Sequence, residues 1–102
     1  MEEKLLKIIN YYGVMPQLKY IHSEYFELDE AITVHQLNEY YNEEYDMEYE
    51  LNKEHIAEEL ADIMVMLKQF QYYFGITNKQ IEDIMNYKID RQLERIKDGK
   101  DK

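Results

Sequence analysis

With 102 residues, one proline, three glycines and no cysteine, the chain has room for one core, and it lacks disulfides, thiol nucleophiles and sulfur-ligated zinc. Apolar residues at 45% and charged residues at 33% exclude a disordered polymer. A formal charge of −10 argues against a nucleic-acid polymer as partner, because duplex binding depends on Lys and Arg neutralising phosphates.

The first element is a short helix, in which Leu5, Leu6, Ile8, Ile9 and Tyr12 recur at helical spacing and Gly13 offers a left-handed stop. Pro16 suits the first turn of a second helix, where Leu18, Ile21, Tyr25, Leu28 and Ile32 form a stripe at steps of three and four. That helix is expected from about Pro16 to Ile32, with an extension toward Tyr40. Residues 39–54, "EYYNEEYDMEYELNKE", carry seven acids and no steady apolar period, so they read as a solvated connection. Ile56, Leu60, Ile63, Met64, Leu67 and Phe70 then keep the helical step until Gly75, a C-terminal cap. Thr77 stands three residues before Gln80 in a capping-box pattern, and Ile81, Ile84, Met85, Ile89, Leu93 and Ile96 carry a last helix. The tail "KDGKDK" is expected to fray.

These elements predict one all-α domain over residues 1–102, a four-helix bundle with two long central helices packed antiparallel. No apolar run reaches the roughly 18 residues of a membrane span. The start "MEEKLLKIIN" also lacks the marks of a secretory signal, so no membrane partner and a cytoplasmic location are expected. Charge is uneven: residues 1–62 hold four Lys against sixteen acids, and residues 86–102 hold six Lys and Arg against four acids.

Asp62 is the anomaly in the third helix, because "LADIMVML" around it is apolar on nearly every side. At about 100° per residue Asp62 shares a face with Glu59, Ile63 and Met66, which aims both acids into packing. A carboxylate buried alone costs several kcal/mol, on the order of the stability of a small domain. The second helix repeats the spacing with Glu24 and Glu27. Facing one another, the two pairs would surround a volume suited to a hard cation with oxygen ligands, Mg²⁺ or Mn²⁺ before Zn²⁺. Taken alone, Glu24 and Glu27 also read as surface acids, and Asp62 also reads as half of a salt bridge. A ferritin-like di-iron site needs Glu-x-x-His on two helices. None of His22, His35 and His55 has a Glu three residues earlier, so each reads as surface or structural.

The segments "QLKYIHSEYFELDEAI" and "HIAEELADIMVMLKQF" resemble the MazG-like family of all-α nucleoside triphosphate pyrophosphohydrolases, in which a Glu-Glu-x-x-Glu helix is followed by a Glu-x-x-Asp helix. The resemblance runs from about Gly13 to Lys97, and departs from the family where Ser23 replaces the first Glu; a register shifted by three would pair Glu27 with Glu30 instead. It implies that Glu24, Glu27, Glu59 and Asp62 bind the magnesium that holds the triphosphate, and that Glu24 or Glu27 takes a proton from the attacking water. It further implies that Lys88, Arg91 and Arg95, near one side of the last helix, hold substrate phosphates. The activity so implied is hydrolysis of a (deoxy)nucleoside triphosphate to monophosphate and pyrophosphate. Since three helices cannot cover a fourth that is apolar all round, a homodimer or homotetramer burying part of Met64 to Phe70 is expected. The alternative is a non-catalytic helical interaction or dimerisation module.

Overall fold

The computed structural model describes residues 1–41 and 46–99, with side chains over 1–37 and 53–99. The chain forms four helices, α1 (Glu2–Tyr12), α2 (Val14–Tyr41), α3 (Asp46–Tyr73) and α4 (Asn78–Lys97), with no strand among the described residues. Residues 42–45 of the expected connection and 100–102 of the expected frayed tail lie outside the described residues.

Gly13 alone separates α1 from α2: its φ of 94° lets the chain turn while its N–H still bonds to the Ile9 carbonyl at 2.8 Å. Pro16 follows in the first turn of α2, where a helix has no use for its missing N–H. The second long helix starts earlier than its apolar period predicts, at Asp46 rather than near Ile56. Apolar periodicity reports which face is packed, not whether the backbone is helical. The residues 46–55 include no Gly or Pro to interrupt propagation from the helix beyond them.

Helices α2 and α3 run antiparallel along a shared seam: Gln17 meets Gln69 and Met66 near one end, and Glu24 meets Glu59 and Asp62 further along. The buried positions of α2 at this seam, Gln17, Glu24 and Ala31, step by seven residues, as do Glu59 and Met66 of α3. That spacing keeps one edge of each helix against the other, as in a coiled coil. The seam is unusually polar, and α1 supplies Leu5 and Ile9 as the apolar plug against α3.

This seam differs from the apolar stripe of the sequence. Leu18, Tyr25 and Ile32 are exposed, with Ile21 and Leu28 half-buried, so the buried edge of α2 lies beside the stripe rather than on it. On α3, Met64 and Leu67 are 60% and 53% exposed. Nor does the fourth helix complete a bundle. Side chains at the end of α3 bond to Asn78, but α4 packs against none of the other three helices among the described residues. The radius of gyration, 17.4 Å, accordingly exceeds the about 13 Å of a compact chain of this length. No described helix is long and apolar enough to cross a membrane.

Candidate metal centre

Each long helix presents its acids at i, i+3, one turn apart on one side, and the antiparallel seam brings the two pairs face to face. Glu24, Glu27, Glu59 and Asp62 each offer a carboxylate oxygen such that all four atoms lie within 4.8 Å of one another. Glu24 and Glu59 form the floor, 6% and 8% exposed, while Glu27 and Asp62 form the open rim. The sequence expectation that Asp62 points into packing is therefore corrected. The seam edge of α3 passes through Glu59 and Met66, which leaves Asp62 at the solvent margin of the same cluster.

The floor carries an electrostatic problem. Glu24 Oε2 and Glu59 Oε2 are buried with no hydrogen-bond partner. Two unit charges at 4.8 Å repel by about 3.5 kcal/mol at an effective dielectric of 20, and by less where water reaches the rim. Burial, followed by the charges of Glu27 and Asp62, pushes the Glu24 carboxyl above its ordinary value, against the opposing pull of the Tyr20 hydroxyl. Tyr20 is itself raised, first by its bond to Glu24 and then by the surrounding negative charge. Within α3, His55 Nε2 lies 3.2 Å from Glu59 Oε1.

An oxygen-rich pocket with two unsatisfied buried carboxylate oxygens and an open side fits a hard divalent cation. The donor set contains no sulfur, and its one nearby imidazole contacts a carboxylate. Glu24, Glu27, Glu59 and Asp62 are the residues that could hold such an ion.

Lys88, Arg91 and Arg95 lie on α4, which among the described residues is not packed against the helices bearing the carboxylates. Tyr20 and His55 adjoin the cluster. In the sequence Tyr20 is one of eleven tyrosines, and His55 one of three histidines that read as surface or structural. Their spacing of four residues before Glu24 and Glu59 is the signal that locates them. Comparison of the chain with protein-family models, with curated proteins and with solved structures finds no match.

Proposed function

We propose that this chain is a divalent-cation-dependent pyrophosphohydrolase of nucleoside triphosphates, active as a homodimer or homotetramer. The observation that carries the reading is the pair of buried, unpartnered oxygens of Glu24 and Glu59 within a four-carboxylate cluster. The motif resemblance to MazG-like enzymes supports the choice of substrate.

Glu24 and Glu59 would hold Mg²⁺ or Mn²⁺ from the floor, with Glu27 and Asp62 closing the rim. A bound cation supplies charge compensation for the triphosphate and lowers the pKa of a coordinated water. Glu27 is exposed at the entrance, which suits it to accept the proton of a water arriving from solvent; Glu24, enclosed on the floor, suits the role of ligand. Lys88, Arg91 and Arg95 would neutralise phosphate oxygens once α4 approaches the cluster within the oligomer. The nucleotide brings negative charge to an acidic protein, so the cation is required for binding as well as for chemistry.

A panel of ribo- and deoxyribonucleoside triphosphates, assayed for pyrophosphate with and without Mg²⁺, tests the reading. The expected result is cation-dependent release from at least one nucleotide, lowered at least about 100-fold by Glu59→Gln. Absence of pyrophosphate from the whole panel would sink it.

A non-catalytic interaction module is the second reading, and the exposed surface agrees with it as it does with an oligomeric enzyme. The chain exposes 8,799 Å², whereas a compact monomer of 12.6 kDa exposes about 6,200 Å². An excess of that order is what large subunit interfaces remove. Such a module would assemble and release no pyrophosphate.

A further inference from the structure

The two halves of the carboxylate cluster share a local pattern that extends one turn beyond the acids. On α2 the order is Tyr20, Glu24, Glu27; on α3 it is His55, Glu59, Asp62. In both, a hydrogen-bonding ring precedes the buried glutamate by four residues, and the rim acid follows by three. Side chains on a helix lean toward its N-terminus, so each buried glutamate bends back over the ring one turn before it.

The consequence is the same on both helices. His55 Nε2 lies 3.2 Å from Glu59 Oε1, while Glu59 Oε2 is buried without a partner. The Tyr20 hydroxyl engages the Glu24 carboxylate, while Glu24 Oε2 is likewise buried without a partner. Glu59 Oε1 is thus contacted from outside the cluster, and the Glu24 carboxylate is engaged by Tyr20 from outside it and by Asp62 from within. Glu24 Oε2 and Glu59 Oε2 remain without a hydrogen-bond partner.

We infer that Tyr20 and His55 are positioning residues, each donating a hydrogen bond to one oxygen of a buried glutamate so that the two remaining oxygens, Glu24 Oε2 and Glu59 Oε2, stay aimed at a shared divalent cation. This inference rests on the cation-site reading above and adds the outer partners that hold the ligands. Both rings are more than half exposed, so neither is needed to fill the core. Phenol is a neutral donor through its O–H, and imidazole donates whenever Nε2 carries its proton, so the arrangement stabilises the ionised carboxylate that a metal requires. Partners of this kind fix the orientation of ligands, and their loss typically lowers metal affinity 10- to 100-fold.

The test uses the full chain and two probes, Mg²⁺ by calorimetry and Tb³⁺ by tyrosine-sensitised luminescence. The chain has no tryptophan, so this emission reports tyrosines near the ion. Four proteins are compared: wild type, His55→Ala, His55→Gln and Tyr20→Phe. His55→Ala and Tyr20→Phe are expected to weaken Mg²⁺ binding by about 10- to 100-fold with unchanged helical circular dichroism. His55→Gln, which retains an N–H donor, should recover most of the loss, and Tyr20→Phe should lower emission even at saturating Tb³⁺. Wild-type affinity in both His55→Ala and Tyr20→Phe overturns this inference alone, as does a His55→Gln protein no better than His55→Ala. Failure of the wild type to bind either ion overturns it together with the cation-site reading.

Discussion

Glu24 sets the electrostatic character of the site, because it combines burial, an unpartnered oxygen and three acidic neighbours. Its carboxyl is raised above the ordinary value of 4.5 in the folded chain, so the native state binds more protons than the unfolded one between the two values. The corresponding stability is fully present below 4.5 and is lost as pH rises through the folded value. The apo protein should therefore melt at a higher temperature as pH is lowered from 7 toward 5. With saturating Mg²⁺ the trend should reverse, since protons compete with the cation for the same oxygens. Glu24→Gln should flatten the apo dependence and raise apo stability at pH 7 by about 1 kcal/mol, the repulsion being screened at the exposed rim. It should also abolish the Mg²⁺-induced rise. Thermal melts across pH, with and without Mg²⁺, check each sign, and an apo Glu24→Gln protein less stable than wild type would refute the account of an uncompensated carboxylate.

At the level of elements, the α2–α3 seam is held by a polar pair as well as by apolar contact. Gln17 Nε2 donates to Gln69 Oε1 at 2.8 Å, and Gln69 is only 2% exposed. Removing one member leaves the other buried without its partner, at about 1 to 3 kcal/mol, whereas replacing both with apolar groups of like shape removes that penalty. Gln69→Leu should therefore destabilise by about 2 kcal/mol and the double variant Gln17→Leu, Gln69→Leu by less, as read by denaturant titration. Equal or additive losses would argue against the pairing. The start of α4 is fixed by a complete capping box, with Thr77 Oγ1 accepting from the Gln80 N–H at 3.1 Å and Gln80 Oε1 accepting from the Thr77 N–H at 2.8 Å. Asn78 Oδ1 also accepts from Lys68 Nζ and Gln71 Nε2, which ties α4 to the end of α3. Among the described residues α4 packs on no other helix, so the cap is a local contribution to its stability that helix packing does not share. Thr77→Ala should cost about 1 kcal/mol locally. In a monomeric chain hydrogen exchange should speed up through α4 and leave α1 unchanged; uniform acceleration would mean that α4 is coupled to the body.

For the whole molecule, the imbalance is between exposed apolar surface and a small core. Leu18, Tyr25 and Ile32 on α2, Met64 and Leu67 on α3, and Ile84, Ile89 and Leu93 on α4 are all exposed in the single chain. Self-association that covers these faces would remove the excess surface. Light scattering at micromolar concentration is expected to give a dimer or tetramer, and Met64→Glu with Leu67→Glu is expected to yield a monomer of lower melting temperature. A wild type that is monomeric at that concentration contradicts the expectation.

The all-helical class, the stop at Gly13, the cap at Thr77 and the spacing of each acid pair, Glu24 with Glu27 and Glu59 with Asp62, were legible in the sequence, because each depends on neighbours within one or two turns; the helical start of α3 at Asp46 was not, because no apolar period marks it. What the sequence could not decide was which edge of each long helix meets the other. Its apolar stripe pointed to Leu18, Tyr25 and Ile32, but the structure buries Gln17, Glu24 and Ala31 instead. A stripe records every apolar face that must be covered, without saying by which helix or by which molecule. The depth of Glu59 relative to Asp62, the separation of α4, and the engagement of His55 and Tyr20 all follow from that choice of edge. They are set by packing between residues some 35 positions apart, where spacing along the chain carries no information.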